Sequence, residues 1–202
     1  MKLFIRYLPR FLFVTILSVA TLGLVGCGEE DQPDFIGTNI TGSKLGQDLA
    51  MQDSATGELI TASDLKGKVS VVFFGYTQCP DICPTSLSQL AGALDQLGDQ
   101  ADEVNAWLIS VDPERDTPEI LTEYAKVFSP HIRALTGSPE QLQQTAQSFK
   151  AVYIKTPSPT PQHYSMDHSA SFYVFDRDGE ARVLLNNDAT PDELQHDIEL
   201  LL

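Results

Sequence analysis

Four prolines partition this chain and constrain its fold more than any other feature. Pro84, Pro118, Pro139 and Pro191 each stand where a helix would begin. Proline suits a first helical position because its missing N–H would find no intrahelical partner there, and its φ is already helical. Thr117, Ser138 and Thr190 supply capping hydroxyls, and Gln141 and Glu193 stand where a capping box needs them. The spacing predicts helices over 84–97, 118–128, 139–150 and 191–201. Apolar runs between and before them predict strands over Val69–Phe74, Val104–Val111, Arg133–Thr136, Ala151–Lys155, Ser171–Asp176 and Ala181–Asn186. Short segments near Leu49–Gln52 and Glu58–Thr61 flank a turn-rich stretch and read as a small hairpin. Asp176-Arg177-Asp178-Gly179-Glu180 reads as a second hairpin turn. Thr156–Pro161 is proline-rich and reads as extended. Strand–helix alternation closed by a β-hairpin and a final helix is an α/β pattern.

The first predicted strand runs into Gly75-Tyr76-Thr77-Gln78-Cys79-Pro80-Asp81-Ile82-Cys83-Pro84-Thr85. Two sulfurs at a strand-to-helix corner either bind a soft metal or exchange electrons as a disulfide. Cys83, just before Pro84, is expected at the N-cap, where the helix dipole favours thiolate over thiol. A purely structural disulfide closing so short a loop removes little chain entropy. Redox pairs usually leave two residues between their cysteines, whereas Pro80, Asp81 and Ile82 stand between these. The longer loop lets the sulfurs spread around an ion. Thiolates select Cu(I), with Zn(II) as competitor. Zinc wants four ligands, or three and a water, and Cu(I) is satisfied by two sulfurs and one imidazole.

Four histidines are candidates for that imidazole: His131, His163, His168 and His196. His196 falls on the polar face of the last helix, and His131 follows Ser129-Pro130 as a turn residue. His163 and His168 lie between the proline-rich segment and the next strand, in a loop able to reach the cysteine corner. Met166 is a further soft donor. Spacing alone does not rank them.

Three blocks, taken together, carry a resemblance. The cysteine segment Gly75–Thr85, then Val111-Asp112-Pro113-Glu114-Arg115-Asp116-Thr117-Pro118, then Asp167-His168-Ser169-Ala170 resemble the Sco/SenC family, in the family's order and over about residues 45–200. The resemblance implies a thioredoxin-like fold, with a central mixed β-sheet flanked by helices and additional β-hairpins. It implies a membrane-tethered protein that binds copper as Cu(I), or also Cu(II), through Cys79, Cys83 and His168. It further implies delivery to the CuA centre of cytochrome c oxidase, with the CuA-bearing subunit or another copper chaperone as partner. His163 becomes a bystander. Asp112, Glu114, Arg115 and Asp116 become a neighbour of the site, a docking surface, or simply a turn before the 118–128 helix. The rival reading from a different class is a thiol–disulfide oxidoreductase that keeps extracytoplasmic cysteines reduced, with Cys79 and Cys83 as its redox dithiol. A thiol peroxidase is a weaker third.

The ends and the charge set the context. Lys2, Arg6 and Arg10 precede an apolar stretch from Phe11 to Val25, too short for a membrane span and suited to a signal peptide over 1–26. Leu24-Val25-Gly26-Cys27 resembles a bacterial lipobox, which makes Cys27 the expected lipidation site and 27–47 a lipidated, flexible tether before a domain at 48–202. The expected location is the bacterial cell envelope, on a membrane and facing the extracytoplasmic, periplasmic side. With one of three cysteines given to lipid, no odd thiol remains. The net charge of −15 disfavours nucleic acid as a partner. Nothing in the sequence asks for more than a monomer.

Overall fold

The computed structural model describes residues 33–157 and 164–202. The expected signal peptide, Cys27 and His163 lie outside the described residues. Residues from Asp34 onward form one compact unit.

The elements are β1 (Thr38–Asn39), β2 (Ala50–Asp53), β3 (Leu59–Thr61), β4 (Val69–Gly75), α1 (Ile82–Leu97), β5 (Val104–Ser110), α2 (Pro118–Phe128), β6 (Ile132–Thr136), α3 (Pro139–Ser148), β7 (Tyr153–Pro157), β8 (Tyr164–His168), β9 (Ser171–Phe175), β10 (Ala181–Asn186) and α4 (Pro191–Glu199). Eight strands make one mixed sheet in the order β1-β10-β9-β4-β5-β6-β2-β3, and β7 pairs with β8 as a separate two-stranded sheet. β4, β5 and β6 run parallel, and β9 returns antiparallel to β4. Parallel neighbours need crossover connections, and α1 and α2 supply them. The thioredoxin-like expectation, a mixed sheet flanked by helices with added hairpins, describes this molecule.

β4 sits at the centre, and all seven of its residues are buried. A strand covered on both faces reads as a continuous apolar run, which is why its sequence lacks alternation. Phe74 packs edge-on to Phe149, at the end of α3, and to Tyr173 of β9. Phe73 points the other way and stacks against Phe172.

The caps at Thr117, Ser138 and Thr190 are present, with full capping boxes at the latter two. The helix after the cysteines departs from expectation. It starts at Ile82, so Asp81 is the N-cap and Cys83 lies inside the first turn. The 27–47 tether is also shorter than expected, because residues 34–47 belong to the folded unit. β1 pairs antiparallel with β10. The buried Asp197 carboxylate of α4 accepts the backbone N–H groups of Ile36 and Gly37, both at 2.8 Å. Gly46, at φ 74°, passes so close to Phe149 and Phe175 that an added Cβ would lie 3.1–3.2 Å from their rings. The polar composition that suggested a tether reflects turns and a sheet edge. Among the described residues no helix is long and apolar enough to cross a membrane.

Candidate metal centre

Cys79 is half-buried in the loop after β4, and Cys83 is fully buried in the first turn of α1. Both are free thiols. The Cys83 N–H points to Cys79 Sγ at 3.4 Å, so the loop folds back and the two sulfurs share one spot. Gly75 makes room beside the Cys83 sulfur. A Cβ there would lie 3.1 Å from Cys83 Sγ, so any side chain at 75 presses on the thiol.

The histidine arrives from a segment expected to be loop. Residues 164–168 form β8, paired antiparallel with β7 so that His168 faces Tyr153 across the ladder. Tyr164, Met166 and His168 occupy alternate positions and are more buried than Ser165 and Asp167 between them, as strand geometry requires. The period-2 pattern Tyr-Ser-Met-Asp-His was the available signal. The alternation carries His168 inward, where Nε2 lies 3.4 Å from Cys83 Sγ. Its ring meets Phe73 and Tyr76 edge-on. Nδ1 lies 3.0 Å from the Ser169 carbonyl. A carbonyl only accepts, so Nδ1 carries the proton and Nε2 keeps its lone pair toward the sulfurs. The donor atoms of Cys79, Cys83 and His168 all lie within 4.8 Å of one another, close enough to hold one metal ion.

Burial dominates the electrostatics. It pushes the Cys83 thiol far above its ordinary range, with the hydrogen bond to Cys79 adding to the shift. The expectation that the helix N-terminus would favour thiolate at Cys83 is overturned, because desolvation of a fully buried sulfur outweighs a partial charge. Burial likewise lowers His168 below its usual value, opposed by the Ser169 carbonyl and by Asp167. Without metal the centre is therefore neutral at Cys83 and His168, with the S–H able to donate to Nε2.

The remaining histidines are elsewhere. His131 stands beside Asp102 at 3.7 Å and His196 beside Asp197 at 3.0 Å, both partly exposed. Met166 is buried on the inner face of β8. The Val111–Pro118 segment borders the centre. Asp116, buried, accepts from Thr77 in the cysteine loop and from Ser110. Arg115 reaches both the cysteine loop and β8. The sequence left open whether this block borders the site or only turns into the next helix, and these bonds put it beside the cysteine loop.

The chain matches the SCO1/SenC family model over residues 39–202. It is 38% identical over 137 residues to the SCO2-like protein RP587 of Rickettsia prowazekii, covering 67% of this chain and 66% of that protein. Its fold is similar to that of Bradyrhizobium japonicum ScoI, solved with copper bound, at TM-score 0.72 and 40% identity, covering 78% of this chain and 99% of that one. It is also similar to apo Sco1 from Thermus thermophilus, at TM-score 0.74 and 36% identity, covering 83% of this chain and 97% of that one. The two cysteines, the distant histidine and the mixed sheet that brings them together are thus set within a family match spanning most of the sequence, and this chain belongs to the SCO1/SenC family.

Proposed function

We propose that this protein is a copper chaperone that binds Cu(I) through Cys79 Sγ, Cys83 Sγ and His168 Nε2. The observation that carries the reading is the convergence of two thiols and one imidazole within 4.8 Å, with the Ser169 carbonyl placed to hold the proton on Nδ1. Two soft sulfurs and one nitrogen suit three-coordinate Cu(I) better than zinc. The half-exposed Cys79 is the side from which copper enters and leaves. Transfer proceeds by ligand exchange, with a recipient's donors replacing Cys79 first and the buried Cys83 last. The ligating thiols must lose their protons, so copper uptake releases H⁺ and weakens in acid. The recipient in this proposal is the CuA centre of cytochrome c oxidase. The protein works as a monomer held by lipid at Cys27 on the extracytoplasmic face of a bacterial membrane.

An anaerobic Cu(I) titration of the reduced protein against a competing chelator tests the site. One equivalent should bind, and Cys79→Ala, Cys83→Ala and His168→Ala should each weaken binding, the cysteine changes most. Unchanged affinity in Cys83→Ala would sink the ligand set.

The free thiols also favour thiol–disulfide exchange as a second activity. Cys79 as thiolate would attack a partner disulfide, forming a mixed disulfide and expelling one partner thiolate. Cys83 would then attack Cys79 Sγ, leaving the partner reduced and the pair oxidised. This route does not use the imidazole, so His168→Ala should retain exchange while losing copper affinity.

A further inference from the structure

The β7–β8 hairpin is outside the main sheet. Its base is closed by two bonds, from the Ser169 N–H to the Val152 carbonyl and from the Val152 N–H to Ser169 Oγ. An isolated two-stranded hairpin is at best marginally stable, so the position of His168 depends on what grips the inner face of β8. That face is held at each of its three inward positions. His168 meets Cys83, and the Met166 N–H meets the Tyr76 hydroxyl at 3.4 Å. Tyr164, farthest from the ligand, is held by Arg115.

The grip on Tyr164 is the most elaborate of the three. Arg115 Nη1 donates to the Tyr164 carbonyl at 3.0 Å and to Gln78 Oε1, next to Cys79, at 3.1 Å. The guanidinium carbon lies 3.5 Å from the Tyr164 ring centroid. Nε pairs with Asp112, whose other oxygen accepts the Tyr164 hydroxyl at 2.7 Å. Lys155, bonded to Glu114, covers Tyr164 from outside, 4.0 Å from the ring centroid. One planar cation thus links the cysteine loop, the 111–117 loop and the histidine strand. Lysine offers no such fixed fork. Nη2 is buried with no partner among the described residues. Opening the hairpin would hydrate that donor, so the closed arrangement is held but releasable.

We infer that Arg115 is a positioning residue, a latch that holds the His168 hairpin against Cys79 and Cys83 and thereby sets how tightly copper is kept. The inference rests on the proposed Cu(I) site and says how it opens. Copper leaves when the Arg115–Tyr164 contact breaks and His168 swings off the sulfurs.

The test uses Arg115→Met and Tyr164→Phe in the full chain, each alone and combined with His168→Ala. In the metal-free protein, hydrogen exchange of the 153–156 and 164–168 amides should rise at least tenfold in Arg115→Met, while β4 and β5 stay protected. Cu(I) affinity should fall about tenfold in Arg115→Met and less in Tyr164→Phe, with faster release to a chelator. X-ray absorption should shift from two sulfurs and one nitrogen toward two sulfurs. In the His168→Ala background, Arg115→Met should change affinity less than twofold, because coupled residues are not additive. An undiminished effect in that background would overturn the latch, as would unchanged hairpin exchange in Arg115→Met. Should Arg115→Met misfold by circular dichroism, the same cycle on Tyr164→Phe decides. The function reading fails separately, if Cys79→Ala and Cys83→Ala bind Cu(I) like the parent, and the exchange arm still tests the latch.

Discussion

At the residue scale, burial decides which protons the centre holds. The unfolded chain protonates His168 near its ordinary pKa of 6.5, and burial lowers that value in the fold. Stability from the neutral ring is therefore full above about pH 6.5 and lost as pH falls through the lower folded value. Cys83 moves the opposite way. Its ordinary value is 9.0 and burial raises it, so stability from its neutral thiol is full below about pH 9 and lost as pH rises toward the folded value. Thermal melts of the metal-free, reduced protein should accordingly plateau between about pH 7 and 8.5 and fall on both sides. Cys83→Ala should flatten the alkaline limb and His168→Ala the acidic one. A limb unchanged by its substitution would refute the assignment. The same scale explains two residues that motif reading undervalued. Gly75 matters for the space its missing side chain leaves beside the Cys83 sulfur, and Tyr76 for bracing both Met166 and the His168 ring. Neither role has a sequence signature beyond lying next to the cysteine loop.

At the element scale, local chemistry was legible wherever an element is specified by its own residues. The expected 118–128 helix coincides with α2, because its Pro and its capping Thr117 act locally. α4 is a test of how independent such an end is from the site. Thr190 accepts the Glu193 N–H, while Glu193 reaches back to the Thr190 N–H at 2.8 Å. Thr190→Ala should cost about 1 kcal/mol of stability, read from a denaturant midpoint, and leave Cu(I) affinity unchanged. A change in affinity would mean that α4 is coupled to the cysteine loop through α1. The elements read wrongly were those whose register comes from a partner. β8 follows a proline-rich stretch and becomes a strand only because β7 pairs with it. The start of α1 moved ahead of Pro84 for a related reason: Cys83 is drawn into the first turn as its sulfur packs into the core beside Gly75.

At the scale of the whole molecule, the boundary of the folded unit is the point where sequence and structure diverge most. Residues 34–47 look like linker by composition, yet β1 covers an edge of the sheet and Asp197 anchors the segment from α4. A chain beginning at Asp34 keeps this segment and sets the reference denaturant midpoint. A chain beginning at Asp48 strips the buried Asp197 carboxylate of two N–H partners and should lose on the order of 3 kcal/mol. Equal midpoints for the two truncations would show that the segment adds nothing to stability.

The sequence by itself determined the α/β class, most helix starts, the cysteine corner and, through three blocks in order, the family. These features are written in contiguous residues: prolines with their caps, an apolar run with its turn, motifs a few residues long. Only the tertiary structure decided which proton each ligand holds, which strand carries His168 inward, where the folded unit begins, and that Arg115 ties the first two blocks to the start of the strand that carries His168. Each of those depends on groups far apart in the chain. Desolvation of Cys83, the pairing of β7 with β8, the reach of Asp197 to Ile36 and of Arg115 to Tyr164 exist only once the sheet has brought its partners within hydrogen-bonding or packing distance.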